Sequence, residues 1–249
     1  MIELLSNCAR GREIFTYHVK GREGEFLRKV SVTAPGSTLL EKEIAGWKWY
    51  ESRLGTTGTG SSCHLKRHKE CLTLDIGWIE GKKGEFYQGL AANREWVRQA
   101  VEHYCRVWPA EAGSGAPLHG DFSLDNLIRN SSGVHIIDWE HFSPDGGCVG
   151  FDAVYLLFET LWFGMGERIN LEDNEKKIVI ETLQTLDKNR RLAEPFRAAP
   201  LKNLRAFIRS HEIFWGEQLR VTPCKLPVLN FTETQTDDID NAIQRMLRH

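Results

Sequence analysis

No apolar run in this chain reaches membrane-spanning length; the nearest candidate, VYLLFETLWFGM at 154–165, is too short and carries Glu159. No basic leader followed by an apolar core opens the sequence, which starts MIELLSNCARGRE. The six cysteines (Cys8, Cys63, Cys71, Cys105, Cys148 and Cys224) form no CxxC pair, and with no export signal they read as reduced thiols. A cytoplasmic protein without membrane insertion is expected. Charge of one sign is lacking too: the net charge of −2 gives no general field for nucleic acid, so no nucleic-acid partner is expected. There is no G-x-G-x-x-G loop. GTTGTGSS at 55–62 lacks the Gly-Lys-Ser/Thr of a phosphate cradle and any helix signal after it, and reads as a linker. No internal repeat or low-complexity segment is present.

What is present is 249 residues of ordinary globular composition, 41% apolar and 27% charged, enough for one large domain or two lobes sharing a cleft. The two halves differ in pattern. Residues 1–36 hold short β-type runs, IELL, EIFTYHVK and FLRKVSV, the last two separated by the turn GREGE. A helix is predicted over Ser37–Arg53, with Ser37 or Thr38 as cap. CHLKRHKE and CLTLDIGWIEG read as a strand pair. Beyond Gly81 the pattern turns helical, first in NREWVRQAVEHYCRVW and then near 150–164, 172–190, 199–219 and 234–248. The expectation is an α+β fold: a small β-rich N-terminal lobe with one helix (1–81), then a larger, mainly helical C-terminal lobe (82–249).

The segment richest in chemistry is LHGDFSLDNLI at Leu118–Ile128, followed by VHIIDWE at 134–140. Asp121 and Asn126 lie five residues apart, and Asp138 follows after a short hairpin flanked by apolar pieces. Such spacing can bring two carboxylates and one amide to a single pocket. Magnesium prefers hard oxygen ligands, commonly one or two carboxylates completed by phosphate and water. A remaining carboxylate is then free to orient or deprotonate an attacking hydroxyl, and phosphoryl transfer needs little more than positioning and charge neutralisation.

HGDFSLDN followed by IIDWE resembles the catalytic and metal-binding loops of the aminoglycoside phosphotransferase and choline kinase family, the small-molecule branch of the protein-kinase-like fold. The resemblance implies Asp121 as catalytic base, Asn126 and Asp138 as magnesium ligands, and His119 as a structural histidine. Asp-Trp-Glu at 138–140 and Gly120, where protein kinases place Asp-Phe-Gly and Arg, favour the small-molecule branch. It implies ATP and Mg2+ as cofactors and a hydroxyl-bearing small molecule (an aminoglycoside, amino alcohol or sugar-like compound) as acceptor. The alternatives are a regulatory pseudokinase and a kinase of a macromolecule.

Further parts follow from the same resemblance. Lys29 on the third strand resembles the lysine that reaches the α/β-phosphates, with Glu43 as its partner. Arg28 and Glu41 are the competing choices, since strand alternation lets only one of Arg28 and Lys29 face the cleft. LTLDIGWIEG at 72–81 resembles the strand entering the hinge, with Trp78 or Ile79 against the adenine. SNCARGR (6–12), with Arg10 or Arg12, is the candidate phosphate cover. VGFDAVYLL at 149–157 resembles the helix after the metal loop, with Asp152 in a structural role. His64 and His68 in CHLKRHKEC match no zinc pattern, and that stretch reads as a solvated hairpin.

Overall fold

In the computed structural model, which describes residues 1–8, 14–22, 24–55, 63–110, 116–147, 149–189, 204–208, 229 and 231–246, the chain forms two compact units. The first comprises Met1–Glu80 together with Asp138–Ser143, and the second comprises the other described residues. The expected class holds: α+β, with a β-rich unit carrying one long helix and a mainly helical unit.

Period-two alternation builds the first unit. β1 (Ile2–Cys8), β2 (Ile14–Gly21), β3 (Gly24–Ser31), β4 (Cys63–Arg67) and β5 (Leu72–Gly77) form an antiparallel sheet in the order β1-β2-β3-β5-β4. Register sets Ser31, Lys29 and Leu27 of β3 opposite Leu72, Leu74 and Ile76 of β5. Side chains of directly opposed residues share a face, so this face holds an apolar floor with one lysine in it. Arg28 and Asp75 are likewise opposed, on the other face.

α1 (Ala34–Leu54) covers the apolar floor, burying Leu39, Leu40, Glu43, Gly46, Trp47 and Tyr50, the three- and four-residue spacing of one helical face. It begins three residues before the expected Ser37. Thr33 is the cap, its hydroxyl accepting from the Gly36 N–H at 3.3 Å, and Pro35 sits in the first turn, where a missing N–H costs nothing. Gly55 ends the helix in the left-handed conformation at φ 71°. Trp139 and Phe142 pack against α1 so closely that a Cβ on Gly46 would lie 2.7 Å from the Trp139 Cβ.

In the second unit β6 (Lys82–Lys83) pairs with β8 (Leu127–Asn130), which forms a hairpin with β9 (Gly133–Ile136). Between them run α2 (Gly89–Ala92), α3 (Arg94–Val107) and the short β7 (Ala116–Leu118). α3 buries Val97, Ala100, Val101, Tyr104 and Val107 on one face. α4 (Phe151–Met165) is buried almost all round, which makes it the central helix of this unit. α5 (Asp173–Lys188) opens with a capping box between Glu172 and Glu175, and α6 (Glu233–Met246) packs on it. Of the helix expected over 199–219, residues 204–208 are helical and the others lie outside the described residues. No helix among the described residues is long and apolar enough to cross a membrane.

Candidate active site

In the first unit the buried lysine of β3 gathers carboxylates. The Lys29 Nζ donates to Glu43 Oε2 of α1 at 2.8 Å and to Asp138 Oδ1 at 2.6 Å. Lys29 and Glu43 are buried, whereas the Asp138 side chain keeps 40% of its exposure. Burial works against the Lys29 charge, but the carboxylates of Asp138, Glu43 and Glu140 outweigh it and hold its pKa above the usual lysine range. Burial pushes the Glu43 carboxyl up to about 8, against the pull of Lys29. The two shifts agree once the charges are compared: one ammonium faces several carboxyls and cannot compensate them all. Glu43 Oε1 is buried without a hydrogen-bond partner.

Asp138 has φ 63°, the one positive value among described non-glycine residues. Aspartate tolerates the left-handed region better than most residues, and such strain concentrates at functional positions. Arg28, on the opposite face of β3, binds Asp75 through Nε and Nη2 at 2.6 and 2.8 Å. Glu41 pairs with Arg67 on the surface. Lys29 and Glu43 are therefore the pair that meets inside.

In the second unit the loop 119–126 is tied down by hydrogen bonds from three directions. Asp152, in the first turn of α4, accepts the His119 N–H at 2.8 Å and the Gly120 N–H at 3.1 Å. Gly120 adopts φ 89°, which frees its N–H to point at that carboxylate. The His119 ring bridges the Asp121 N–H, at 3.2 Å from Nδ1, and the Ile137 carbonyl, at 2.9 Å from Nε2. Those partners assign the neutral tautomer with the proton on Nε2. The Asn126 Nδ2 donates to the Asp121 main-chain oxygen at 2.9 Å and to Asp121 Oδ2 at 3.0 Å. With its nitrogen committed, the Asn126 amide presents its oxygen as the free end. Burial pushes Asp152 up to about 7, its two N–H donors pull it down, and the Asp121 charge adds to the rise.

The structure thus joins Lys29, Glu43 and Asp138 in one cluster, and Asp121 with Asn126 in another. Trp78 lies just beyond the end of β5, is 40% exposed, and stacks on His18 with ring centroids 3.8 Å apart. Ile79 is half-buried beside it. Arg10 and Arg12 lie outside the described residues, and Ser6–Cys8 of the expected phosphate cover continue β1. Among the described residues no group of His, Cys, Asp or Glu could by itself hold a metal, His64 and His68 included. The part-exposed Asp138 carboxylate in the first unit and the Asn126 amide oxygen in the second are hard oxygens, each within its own cluster.

One feature beside the loop escapes a motif-based reading. Two turns beyond Asp152 on α4, Glu159 is 5% exposed and accepts from the Tyr155 hydroxyl at 2.8 Å. Burial, then the charge of Asp121, raises the Glu159 carboxyl well above its ordinary value. The signal was present as a second carboxylate in a mostly apolar helix, seven residues after Asp152.

No protein-family model matches the chain, and no curated protein matches it in sequence. Among solved structures it is similar to an amicoumacin kinase in complex with AMP-PNP and Ca2+, at 11% identity and a TM-score of 0.49, over 98% of this chain and 87% of that one. At that identity and score the likeness assigns no residue, and the chemistry is read from this chain's own side chains.

Proposed function

We propose that this protein is an ATP-dependent phosphotransferase that moves the terminal phosphoryl group of the nucleotide to a hydroxyl of a small molecule. The observation that carries this reading is the arrangement around Asp121. Its backbone is fixed through His119 and Asp152, and its side chain is oriented by the Asn126 amide. A carboxylate held in this way suits a base that must meet a hydroxyl proton in one geometry. Asp121 takes that proton as the acceptor oxygen attacks.

Asn126 and Asp138 would hold magnesium, through the amide oxygen and the carboxylate. When bound, the ion supplies charge neutralisation at the terminal phosphates. Lys29, held by Glu43, would turn its ammonium to the nucleotide's α/β-phosphates. The residues after β5, Trp78 and Ile79, would lie against the base.

A screen of Mg-ATP consumption over pooled aminoglycosides, amino alcohols and sugars tests this reading, together with nucleotide binding by calorimetry. The expected result is Mg-dependent binding and transfer to at least one acceptor, with binding weakened in Asp138→Asn. Absence of Mg-nucleotide binding by the wild-type chain would overturn the proposal. Intact Asp121, Asn126 and Asp138 weigh against a pseudokinase, and Asp-Trp-Glu at 138–140 weighs against a kinase of proteins.

A further inference from the structure

Within the helical unit, the second half of α3, the β8–β9 hairpin and the end of α5 line a cleft of about 590 Å3. Neither Asp121 and Asn126 nor Lys29 and its carboxylates belong to that lining. Two arginines do, Arg106 of α3 and Arg129 of β8, and both are held by neutral groups. The Arg106 Nη2 donates to His103 Nδ1 at 2.9 Å. Arginine can only donate, so that ring nitrogen is the acceptor. Burial, then the Arg106 charge, pushes His103 down to about 4, which leaves the ring neutral near pH 7. Arg129 lies 4.5 Å over the Trp96 ring, and its Nη1 reaches Gln99 Oε1 at 3.4 Å. An imidazole, an indole and an amide thus orient the two guanidinium groups without cancelling either charge.

The carboxylates on this side of α3 are already taken. Arg98 grips both oxygens of Glu95, at 2.6 and 2.8 Å, and also bonds Glu102, which lines the same cleft. Among the described residues neither Arg106 nor Arg129 forms an ion pair with a carboxylate. A basic residue in the last turn of a helix, as Arg106 is, can serve the helix dipole alone. Arg129 stands on a strand and has no such duty. Ser131, Ser132 and Thr185 add hydroxyl groups to the lining.

A phosphate monoester carries a charge of about −1.5 to −2 near pH 7 and three acceptor oxygens. Two uncancelled guanidinium groups match that charge, and the planar fork of arginine matches the oxygens. The volume lies within the range of small-molecule sites, about 300–1,000 Å3, and exceeds what a bare ion needs. We propose that this cleft is a second ligand site, which binds a small phosphorylated metabolite through Arg106 and Arg129. The site is independent of the phosphotransferase reading, since it uses none of the residues given roles there.

The test is calorimetry on the full chain with glucose 6-phosphate and glycerol 3-phosphate, against gluconate and glucose as controls. The esters should bind, gluconate with its single charge should bind more weakly, and glucose should not bind. Arg106→Gln and Arg129→Gln should each weaken ester binding roughly 10- to 100-fold, the size of a hydrogen bond to a charged group. Arg106 is exposed, so its variant carries little risk to folding. Glu102→Gln removes a negative charge from the same wall and should tighten binding, a gain that damage to the fold does not produce. Arg94→Gln, a cation of α3 paired with Glu181 and outside this lining, should leave the affinity unchanged.

Absence of binding by both esters overturns the inference, as does equal affinity for gluconate. Ester binding that is unchanged in both arginine variants places the phosphate elsewhere and overturns it too. Binding to vesicles containing phosphatidic acid, with no binding of the soluble esters, would give this face to a membrane surface instead.

Discussion

Glu43 in the β-rich unit and Asp152 in the helical unit are both buried carboxyls, yet a lysine holds the first and two peptide N–H groups hold the second. The difference lies in what each partner can do next. A lysine is a flexible cation whose attachment can be traded, and Lys29 already divides itself between Glu43 and Asp138. Peptide N–H groups cannot move without moving the chain, so Asp152 fixes the backbone around Asp121 instead of a side chain. The first arrangement suits an exchange of charged ligands, and the second suits a base that must not drift.

The largest expected effect comes from breaking the rigid side at its chemical end. Asp121→Asn should lower phosphoryl transfer by about 10²- to 10⁴-fold, the usual contribution of a positioned base. Mg-nucleotide affinity and the unfolding midpoint should stay near wild type, because Asp152 and His119 hold the loop through its backbone. Steady-state transfer assays and nucleotide titration read this directly; turnover close to wild type would remove Asp121 from the role.

On the mobile side, Lys29→Ala strips Glu43 of its cation. Removing one partner of a buried ion pair typically costs about 3–5 kcal/mol. Only the Glu43 arm counts toward that figure, since the part-exposed Asp138 is screened by solvent. Urea unfolding should show the loss, and nucleotide affinity should fall with it. Lys29→Ala combined with Glu43→Leu should recover much of the stability and none of the affinity. A stability change below about 1 kcal/mol for the single variant would show the pair to be solvated.

A smaller effect sharpens the contrast through pH. Asp152 has its pKa raised to about 7 from an ordinary 3.8, so the folded protein keeps a proton there that the unfolded chain gives up. That stabilisation is present in full at low pH and is lost as pH rises through the folded value. Asp152→Asn should therefore be less stable than wild type near pH 4, with the gap narrowing toward pH 7 by an amount on the order of a few kcal/mol. Urea midpoints measured across that range for both proteins give the answer. A gap that widens with pH would mean that the two N–H donors dominate over burial and that Asp152 is ionised throughout.

How far the sequence revealed all this follows the same division. The loop around Asp121 and the strand carrying Lys29 were readable because short-range spacing defines them: five residues from Asp121 to Asn126, and period two along β3. α1 starts three residues before the expected Ser37 because Thr33 caps it and the first turn of a helix accepts Pro35. The return of Asp138–Ser143 to the β-rich unit leaves no local mark, since it depends on Trp139 and Phe142 finding α1 at Gly46. Glu159 was visible only as a flaw in an apolar run. Its meaning required knowing that Asp152, seven residues earlier, faces the loop.

Adjacent residues on β3 offer the finest comparison. Arg28 and Lys29 carry the same charge and point to opposite faces, Arg28 to Asp75 in a two-pronged contact and Lys29 to Glu43. The Arg28 side chain keeps 36% of its exposure, so solvent screens the pair and discounts its worth. Arg28→Ala should cost about 1 kcal/mol or less, part of it from the guanidinium lying 5.0 Å over the Phe26 ring. Nucleotide affinity should not change, whereas Lys29→Ala should lose it. Equal losses of affinity in the two variants would mean that the face of β3 turned toward α1 is not the one the nucleotide uses, and the role given to Lys29 would then pass to the opposite side of the sheet.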